Sequence, residues 1–177
     1  MRIIAGTLGG RTFDSPRSFK THPMSDKIRG ALFNMLGDIQ GLTVLDAFAG
    51  SGALSFEAIS RGAASAVAID HDRAAQSIIA KNIKALGLQR VIKNVDASAN
   101  AWLQKNPEAR FDIVLCDPPY NDVQLHLVTN LAHCINDNGI FVLSWPGAEA
   151  VPDLISYKKV AHRTYGDAQL IFYARSI

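Results

Sequence analysis

Residues 43–61 read TVLDAFAGSGALSFEAISR, and this stretch decides the fold of the chain. It begins with an apolar run over residues 43–48, continues with a loop that holds Gly50 and Gly52, and ends with a helical pattern over residues 53–61. A strand, a glycine turn and a helix in immediate succession are typical of a βα unit. Because similar units follow along the chain, the sequence predicts a mainly parallel sheet with helices on both faces.

Strand and helix patterns alternate from about residue 42 onward. Further strands are predicted over 66–69, 90–95, 111–116 and 139–144, and helices over 73–86, 99–105 and 123–135. Residues 158–165 and 169–174 have the pattern of a hairpin around Gly166-Asp167, which adds two antiparallel strands at one edge. The predicted fold is therefore an α/β, doubly wound, seven-stranded Rossmann-like sheet with a C-terminal antiparallel hairpin.

The composition excludes several classes of protein. The 177 residues are 48% hydrophobic, which suits one folded domain and is too apolar for a disordered chain. No apolar run is long enough for a transmembrane helix, and the first residues do not form a signal peptide, so we expect a cytoplasmic protein. Cys116 and Cys134 have no metal-ligand spacing, so we expect free thiols and no metal.

The first 23 residues do not follow the strand–helix alternation. They are rich in Gly, Thr, Ser and basic residues, and we predict a small hairpin of residues 2–8 and 11–13. A helix over 27–36 follows, with Ser25 and Asp26 as candidate caps. We therefore expect a basic hairpin extension over residues 1–23 and an α/β domain over residues 24–177.

Positive charge is concentrated at the start of the chain. Residues 1–30 hold six Lys or Arg against two Asp, a segment charge of +4, whereas the whole chain carries +2. A basic segment on a neutral body indicates a surface for a polyanion, although an ordinary solvated surface would give the same count.

The tetrapeptide Asp117-Pro118-Pro119-Tyr120 follows the predicted strand 111–116. Proline lacks an N–H and has a fixed φ, so the strand must end here in a stiff loop. This loop lies at the carboxyl end of a strand, where open α/β sheets bind their ligands. Tyr120 can stack on a planar group while Asp117 and a proline carbonyl accept hydrogen bonds from its amino group. The pattern therefore favours chemistry on the exocyclic amine of a nucleobase.

The loop DAFAGSG over residues 46–52 is a candidate site for a nucleoside cofactor. Gly50 and Gly52 allow positive φ and close approach of a ligand to the backbone. Asp70 ends the next strand and suits a ribose diol, and Asp96 ends the third strand near the expected base. A tight turn explains the glycines equally well, and helix capping would explain Asp70 or Asp96. The third position of a dinucleotide fingerprint is Ser55, which weakens a pyrophosphate interpretation.

These motifs, in this order, resemble those of the class I S-adenosylmethionine-dependent methyltransferases. IAGTLGGR over residues 4–11, PMSDKIRGALFN over 23–34 and Tyr165-Gly166-Asp167 narrow the resemblance to the bacterial 16S ribosomal RNA guanine-N2 methyltransferases, the RsmD family. Two positions depart from that pattern. His22 stands where the family usually has Arg, and Ala168 stands where it has Thr.

The resemblance implies S-adenosylmethionine as cofactor, and 16S rRNA within the small ribosomal subunit or an assembly intermediate as partner. The expected reaction methylates the exocyclic N2 amine of a guanine, without a metal or a membrane. The predicted catalytic residues are Asp117, Pro118, Pro119 and Tyr120. The predicted cofactor residues are Asp46, Phe48, Gly50, Gly52, Asp70 and Asp96. The predicted RNA contacts are Arg2, Arg11, Arg17, Lys20, His22, Lys27 and Arg29.

Other functions are compatible with parts of the pattern. The same tetrapeptide serves adenine-N6 or cytosine-N4 methylation of DNA or RNA, but the chain has no room for a separate DNA-recognition domain. A non-catalytic RNA-binding or ribosome-assembly protein could retain the fold, although it would not need both motifs intact. A nicotinamide oxidoreductase is disfavoured by Ser55 and by the absence of a placed proton donor.

Overall fold

The glycine turn at residues 46–52 joins a strand to a helix in a computed structural model, which describes residues 1–16 and 23–176. A βα unit forms here because the apolar run is short enough for a strand and the glycines reverse the chain. The elements, in chain order, are α1 (Asp26–Leu36), β1 (Thr43–Asp46), α2 (Ala53–Ser60), β2 (Ser65–Asp70), α3 (Arg73–Leu86), β3 (Ile92–Asp96), α4 (Ala99–Lys105), β4 (Phe111–Cys116), α5 (Leu125–Ala132), β5 (Ile135–Pro146), β6 (Tyr157–Tyr165) and β7 (Ala168–Arg175).

The strands form one seven-stranded sheet in the order β3-β2-β1-β4-β5-β7-β6. Strands β1 to β5 pair in parallel, whereas β7 pairs antiparallel with β5 and β6. The chain moves outward from β1 to β3 and then returns to the other side of β1 with β4. The order therefore reverses between β1 and β4, and open α/β sheets bind ligands at the carboxyl side of such a point. The predicted fold class is confirmed.

Both faces of the sheet are covered by apolar side chains from the helices. One face packs against α1, α2 and α3, with Phe33 and Phe56 among its buried residues. The other packs against α4 and α5, with Trp102 as its largest helical side chain. Val44 and Leu45 follow one another in β1 and lie in different clusters, as the alternation of a strand requires. Because a central strand is buried on both faces, its sequence is a continuous apolar run rather than an alternating one.

Polar side chains fix where the helices begin. Ser25, Asp72 and Ser98 each accept a hydrogen bond from the backbone N–H three residues later, at the starts of α1, α3 and α4. Such caps satisfy donors that a helix leaves open. Gly87 closes α3 with φ 75°, a left-handed conformation that favours glycine.

The structure corrects the predicted boundary between α5 and β5. The helix ends at Ala132, not at Ile135, and β5 begins at Ile135, not at Gly139. Ile135 is fully buried and pairs with Phe111, after which the register shifts before Ile113 pairs with Ile140. Ile135 continues the helical periodicity of α5, but it can also pair with β4. Pairing with the sheet prevails, so the helix ends earlier than its sequence pattern predicts.

The N-terminal segment forms a hairpin that is shorter than the predicted one. Around the antiparallel Arg2–Thr12 bridge, the Ile3 N–H donates to the Arg11 carbonyl at 2.9 Å, and Met1 and Phe13 exchange hydrogen bonds at 3.0 and 3.1 Å. Ile3 and Phe13 are buried in the cluster on the α1–α3 face, where the Phe13 ring meets the Phe56 ring edge-on at 5.1 Å between centroids. Apolar contact with the sheet-covering helices therefore adds to the strand pairing in holding this segment. The division of the chain at residue 23 stays a prediction.

Two smaller observations complete the fold. Cys116 and Cys134 are buried free thiols, as predicted. Each helix within residues 1–16 and 23–176 falls short of the length and hydrophobicity that a bilayer-spanning segment needs.

Candidate active site

Four acidic side chains meet at one edge of the sheet because four adjacent strands end there. In spatial order, Asp96, Asp70 and Asp46 are the last residues of β3, β2 and β1, and Asp117 directly follows β4. Asp70 is paired in register with Asp96, and Asp46 is paired with Leu115, two residues before Asp117. The predicted acidic residues of the cofactor and catalytic sets thus lie side by side at the switch point of the sheet.

The loop after β1 approaches this edge through its backbone. Gly50 and Gly52 have φ values of 54° and 86°, as predicted. The Gly50 N–H donates to Asp70 Oδ2 at 2.8 Å, which ties the loop to the end of β2. A Cβ on Gly50 would meet no atom within 4 Å, so the backbone there borders open space. A Cβ on Gly52 would lie 2.5 Å from Cζ of Phe56, so close packing excludes a side chain at that position.

Asp46 is the most deeply buried carboxylate of the group, with 1% of its surface exposed. Its Oδ2 accepts hydrogen bonds from the Ser55 N–H at 3.2 Å and the Ser55 hydroxyl at 2.7 Å. Its Oδ1 is buried without a partner among the described residues. Burial, with the charges of Asp117 and Asp70 adding to it, raises the pKa of Asp46 to about 7. Such an oxygen is suited to a cationic or hydrogen-bonding ligand.

The tetrapeptide after β4 brings a carboxylate and an aromatic ring together. Burial raises the pKa of Asp117 to about 6, and a hydrogen bond from the Ser144 hydroxyl opposes that rise. The Tyr120 hydroxyl lies 2.7 Å from Ser144 Oγ, while its side chain is 39% exposed. Ser144 therefore holds Tyr120, lies close enough to Asp117 to affect its pKa, and leaves part of the Tyr120 ring open to a ligand.

The two proline carbonyls differ in their hydrogen bonds. The Pro119 carbonyl accepts from the Asp122 N–H at 3.1 Å. Within the described part of the chain, no backbone donor is found for the Pro118 carbonyl. The Pro118 carbonyl therefore keeps acceptor capacity for a ligand amine.

Ser144 is a site residue that the sequence analysis missed. It ends the predicted strand 139–144 and is 4% exposed. The rule that selected Asp70 and Asp96, a polar residue at the carboxyl end of an apolar strand, applies to it equally.

A second overlooked residue is Gln169, whose Nε2 donates to the carbonyls of Pro146 and Glu149 at 2.8 and 2.9 Å. Gln169 thereby fixes the loop that follows β5, and no simple signal in the sequence indicates this contact.

The remaining predicted cofactor residue, Phe48, is partly buried in the turn after β1 and packs against the cluster on the α4–α5 face. Asp96 is exposed at the end of β3. Asp70 is already engaged, since its Oδ1 accepts from the Asp72 N–H at 2.9 Å. Each Asp70 oxygen keeps a further lone pair for a hydroxyl donor.

The predicted RNA contacts do not form a single group. Arg2 is exposed and pairs with Asp26 at 3.1 Å, whereas the Arg11 guanidinium donates to the carbonyls of Ala85 and Leu86 at the end of α3. Lys27 is exposed in the first turn of α1. Arg17, Lys20 and His22 lie outside the described residues.

Arg29 requires a correction to its predicted role. Its side chain is 1% exposed, and its Nη2 donates to Asp26 at 2.8 Å and to the Arg2 carbonyl at 2.7 Å. Glu57, which is also buried, lies 3.9 Å from its Nε. A guanidinium enclosed in this way cannot reach a phosphate at the surface, so its contacts indicate a role in holding the N-terminal segment.

Comparisons with known proteins identify the family of this chain. A family model described as conserved hypothetical protein 95 matches residues 1–174. Ribosomal RNA small subunit methyltransferase D of Escherichia coli (strain K12) is 39% identical over 142 residues, 78% of this chain and 68% of that protein. The chain belongs to the RsmD family of methyltransferases.

Two other similar proteins match nearly the full length of the chain. YlbH of Bacillus subtilis (strain 168), named as a proposed rRNA methyltransferase, is 31% identical over 186 residues, 99% of each chain. The solved structure of yhhF from Escherichia coli, described as a proposed methyltransferase, has a TM-score of 0.89 at 29% identity and covers 99% of this chain and 98% of that one. The similarity to these two proteins therefore extends over the N-terminal segment as well as the sheet.

Proposed function

We propose that this RsmD-family chain transfers a methyl group from S-adenosylmethionine to the exocyclic N2 amine of a guanine in 16S rRNA. The proposal depends on the position of Asp117-Pro118-Pro119-Tyr120, which directly follows β4, the neighbour of the strand β1 that leads into the glycine loop. The curated relative from Escherichia coli is named as a small-subunit rRNA methyltransferase, which supports the RNA class of the substrate.

The residues at the edge of the sheet fit S-adenosylmethionine, which carries a positive sulfonium and an α-ammonium group. The unpartnered Oδ1 of Asp46 and the negative charges of Asp70 and Asp117 suit those cations. The space beside Gly50 lets a ligand approach the backbone without meeting a side chain. Asp70 and Asp96 would accept hydrogen bonds from the ribose and the adenine. When bound, the cofactor supplies an activated methyl group.

The chain's contribution to methyl transfer is to hold the amine. In our proposal, the Asp117 carboxylate and the Pro118 carbonyl accept the two N2 hydrogens. Guanine delocalises the N2 lone pair into its ring, and these acceptors would favour a pyramidal nitrogen whose lone pair is directed at the methyl group. The gain comes from orientation and from acceptors fixed in advance. The methylated nitrogen is acidic, so a separate histidine base is unnecessary.

Tyr120 would stack on the target guanine. Its hydroxyl is held by Ser144, so the ring is oriented before the base arrives. Base–aromatic stacking contributes about 1–3 kcal/mol. A stacked base must leave its own helix or be presented in a loop, as in other enzymes that modify nucleobases. Small ribosomal subunits or assembly intermediates, in which the RNA is already folded, are the proposed substrates.

The test is to incubate the protein with labelled S-adenosylmethionine and small ribosomal subunits that lack the modification, and to identify the labelled nucleoside by mass. N2-methylguanosine is the expected product. N6-methyladenosine or N4-methylcytidine would instead support the alternative target amines. A protein that binds no S-adenosylmethionine would fit a non-catalytic assembly role.

A matched pair of variants tests the assignment of Asp117. Asp117→Ala is expected to lower turnover at least about 100-fold with nearly unchanged cofactor affinity, because it removes an acceptor that acts on the amine. Asp122→Ala removes an exposed carboxylate from the same loop and should keep normal turnover. Wild-type turnover in Asp117→Ala would remove Asp117 from the mechanism.

A further inference from the structure

The edge strand β6 presents positive charge without any acidic residue. Its sequence is YKKVAHRTY over Tyr157–Tyr165, and the side chains of Lys158, Lys159, His162 and Arg163 are exposed. Lys159 pairs with Asp153 at 2.9 Å, and His162 Nε2 lies 2.8 Å from Gln169 Oε1. Lys158 and Arg163 form no ion pair with any described residue.

The register of β6 directs Lys158 and Arg163 to one face of the sheet. Lys158 lies opposite Ala174 and Arg163 lies opposite Leu170, whose side chain belongs to the cluster on the α1–α3 face. Residues five apart in a regular strand point to opposite faces. The register shift between Lys159 and Ala161 adds one residue, and this brings both cations to the same side.

Strand β6 runs toward the candidate active site. It ends at Tyr165, and the turn that follows it is bonded to the loop after β5, because the Gly147 N–H donates to the Asp167 carbonyl at 2.7 Å. Asp167 is also close enough to Tyr120 for its charge to contribute to the raised pKa of that phenol. The end of β6 therefore lies on the same edge of the sheet as Tyr120 and close to it.

Several cations in and around the N-terminal segment already have partners within the protein. Arg2 and Arg29 pair with Asp26, Lys81 pairs with Asp14, and the Arg11 guanidinium donates to the end of α3. Arg2 and Arg11 were both predicted RNA contacts, and each would have to exchange an internal partner for a phosphate. Lys158 and Arg163 would lose no ion pair.

We infer that Lys158 and Arg163 bind phosphates of the RNA strand that leads to the target base. Their partners on β7 are four residues apart, so Lys158 and Arg163 are about 13 Å apart along the strand at about 3.3 Å per residue, and they would contact different phosphates. Each neutralised phosphate releases counterions, which makes the contribution to binding dependent on salt. The inference rests on the proposed RNA substrate and extends it to a surface outside the N-terminal segment.

A structural role for the charges is the competing explanation. Lysine on an exposed edge strand hinders pairing with a second sheet. In that case, neutral residues at these positions would cause self-association of the protein and would leave the affinity of the monomer for RNA unchanged.

The double variant Lys158→Gln/Arg163→Gln distinguishes the two explanations. The matched control is Arg90→Gln/Lys93→Gln, which removes the same charge from exposed positions near the amino edge of the sheet. Binding to unmodified small ribosomal subunits is measured between about 50 and 300 mM salt, a range over which such contacts change strongly. Turnover, cofactor affinity, melting temperature and size-exclusion elution are measured in parallel.

The β6 variant is expected to raise KM for the subunits about tenfold and to reduce the slope of log affinity against log salt by about two, with unchanged cofactor affinity and melting temperature. The Arg90/Lys93 control should match the wild type. The inference would be overturned if the β6 variant kept the wild-type KM and salt slope. It would also be overturned if the control lost as much affinity for the subunits, or if self-association of the variant explained its loss of affinity. Failure of the wild-type protein to bind or methylate the subunits would instead overturn the proposed function, and the inference with it.

Discussion

At the scale of single residues, Asp46 shows how the site is adapted to a ligand that carries charge. Its carboxyl is buried, one oxygen lacks a described partner, and burial together with two further carboxylates raises its pKa to about 7. The ordinary pKa of an aspartate is 3.8, so the folded protein holds the proton more tightly than the unfolded chain. Stability contributed by this residue is therefore present at low pH and is lost as the pH rises from about 4 to about 7.

A first prediction follows for Asp46→Asn. The variant should melt at a higher temperature than the wild type at pH 8, because it removes the buried charge and keeps an acceptor for Ser55. Its affinity for S-adenosylmethionine should be lower, and the wild-type gain in affinity between pH 6 and pH 8 should be reduced. Scanning calorimetry and titration calorimetry measure the two effects. An equal or lower melting temperature together with wild-type affinity would contradict this account of Asp46.

Ser144 acts through Tyr120, to which it is hydrogen-bonded, and through Asp117, whose pKa it lowers. Its hydroxyl lies 2.7 Å from the Tyr120 oxygen and lowers the pKa of Asp117, which burial raises to about 6. If Tyr120 donates to Ser144 Oγ, the serine proton is directed at the Asp117 carboxylate. This chain of contacts makes Ser144 a positioning residue for the proposed transfer.

A second prediction concerns the pH dependence of turnover in Ser144→Ala. The Asp117 carboxylate is the proposed acceptor, so turnover should fall as the pH drops through about 6. Removing the Ser144 hydroxyl should raise the pKa of Asp117 further and shift this acidic limb to higher pH. Tyr120→Phe keeps the contact between Ser144 and Asp117 and serves as the control, with a smaller shift expected. An unchanged acidic limb in Ser144→Ala would exclude the coupling.

At the scale of elements, the turn between β1 and α2 exposes its backbone to the proposed cofactor space, because Gly50 has no side chain. Gly50 donates its N–H to Asp70 and has a φ of 54°. Gly87 at the end of α3 also has a positive φ, 75°, and a Cβ at either position would meet no atom within 4 Å. The two glycines are therefore similar in conformation and in surroundings, but only Gly50 lies at the carboxyl edge of the sheet.

A third prediction uses this matched pair. Gly50→Ala and Gly87→Ala should each destabilise the protein by about 1–2 kcal/mol, because a left-handed φ strains a residue with a Cβ. Only Gly50→Ala should also weaken S-adenosylmethionine binding, roughly tenfold or more, since its methyl group would project into the proposed cofactor space. Urea unfolding and titration calorimetry give the two quantities. Equal cofactor affinities in the two variants would show that the space beside Gly50 is not used.

At the scale of the whole molecule, a buried ionic network attaches the N-terminal segment to the helix that begins at the cofactor loop. Glu57 in α2 is fully buried and accepts the N–H groups of Ile4 and Ala5 at 2.8 and 3.1 Å. It also accepts from Arg61 at 2.7 Å and lies near the buried Arg29. Because α2 starts directly after Gly52, the position of the N-terminal segment and that of the loop are linked through one helix.

A fourth prediction concerns Glu57→Ala. The variant should lose about 3–5 kcal/mol of unfolding free energy, because it leaves Arg29 without its buried partner and removes the acceptor of two N–H groups. Glu108→Ala, which removes an exposed carboxylate, should change the unfolding free energy by less than about 0.5 kcal/mol. Urea denaturation of the two variants makes the comparison. A loss below about 1 kcal/mol in Glu57→Ala would mean that the network does not hold the segment.

Residue types and spacing alone determined the sheet, the glycine loop and the tetrapeptide of this protein. Local periodicity, helix caps and proline act within a few residues, so βα units and the order of motifs can be read directly from the chain. The strand-end rule also placed Asp46, Asp70, Asp96 and Asp117 on one edge. The same rule, applied to the end of the fifth strand, would have found Ser144.

Only the tertiary structure decided which side chains are buried and which partners they have. Arg29 and Arg2 both pair with Asp26, yet Arg29 is buried beside Glu57 whereas Arg2 remains exposed. Ile135 continues a helical pattern but joins β5, because pairing with β4 is available there. One added residue in β6 sets the face of Lys158 and Arg163. These outcomes depend on residues distant in the chain, and short-range pattern carries no information about which distant groups will meet.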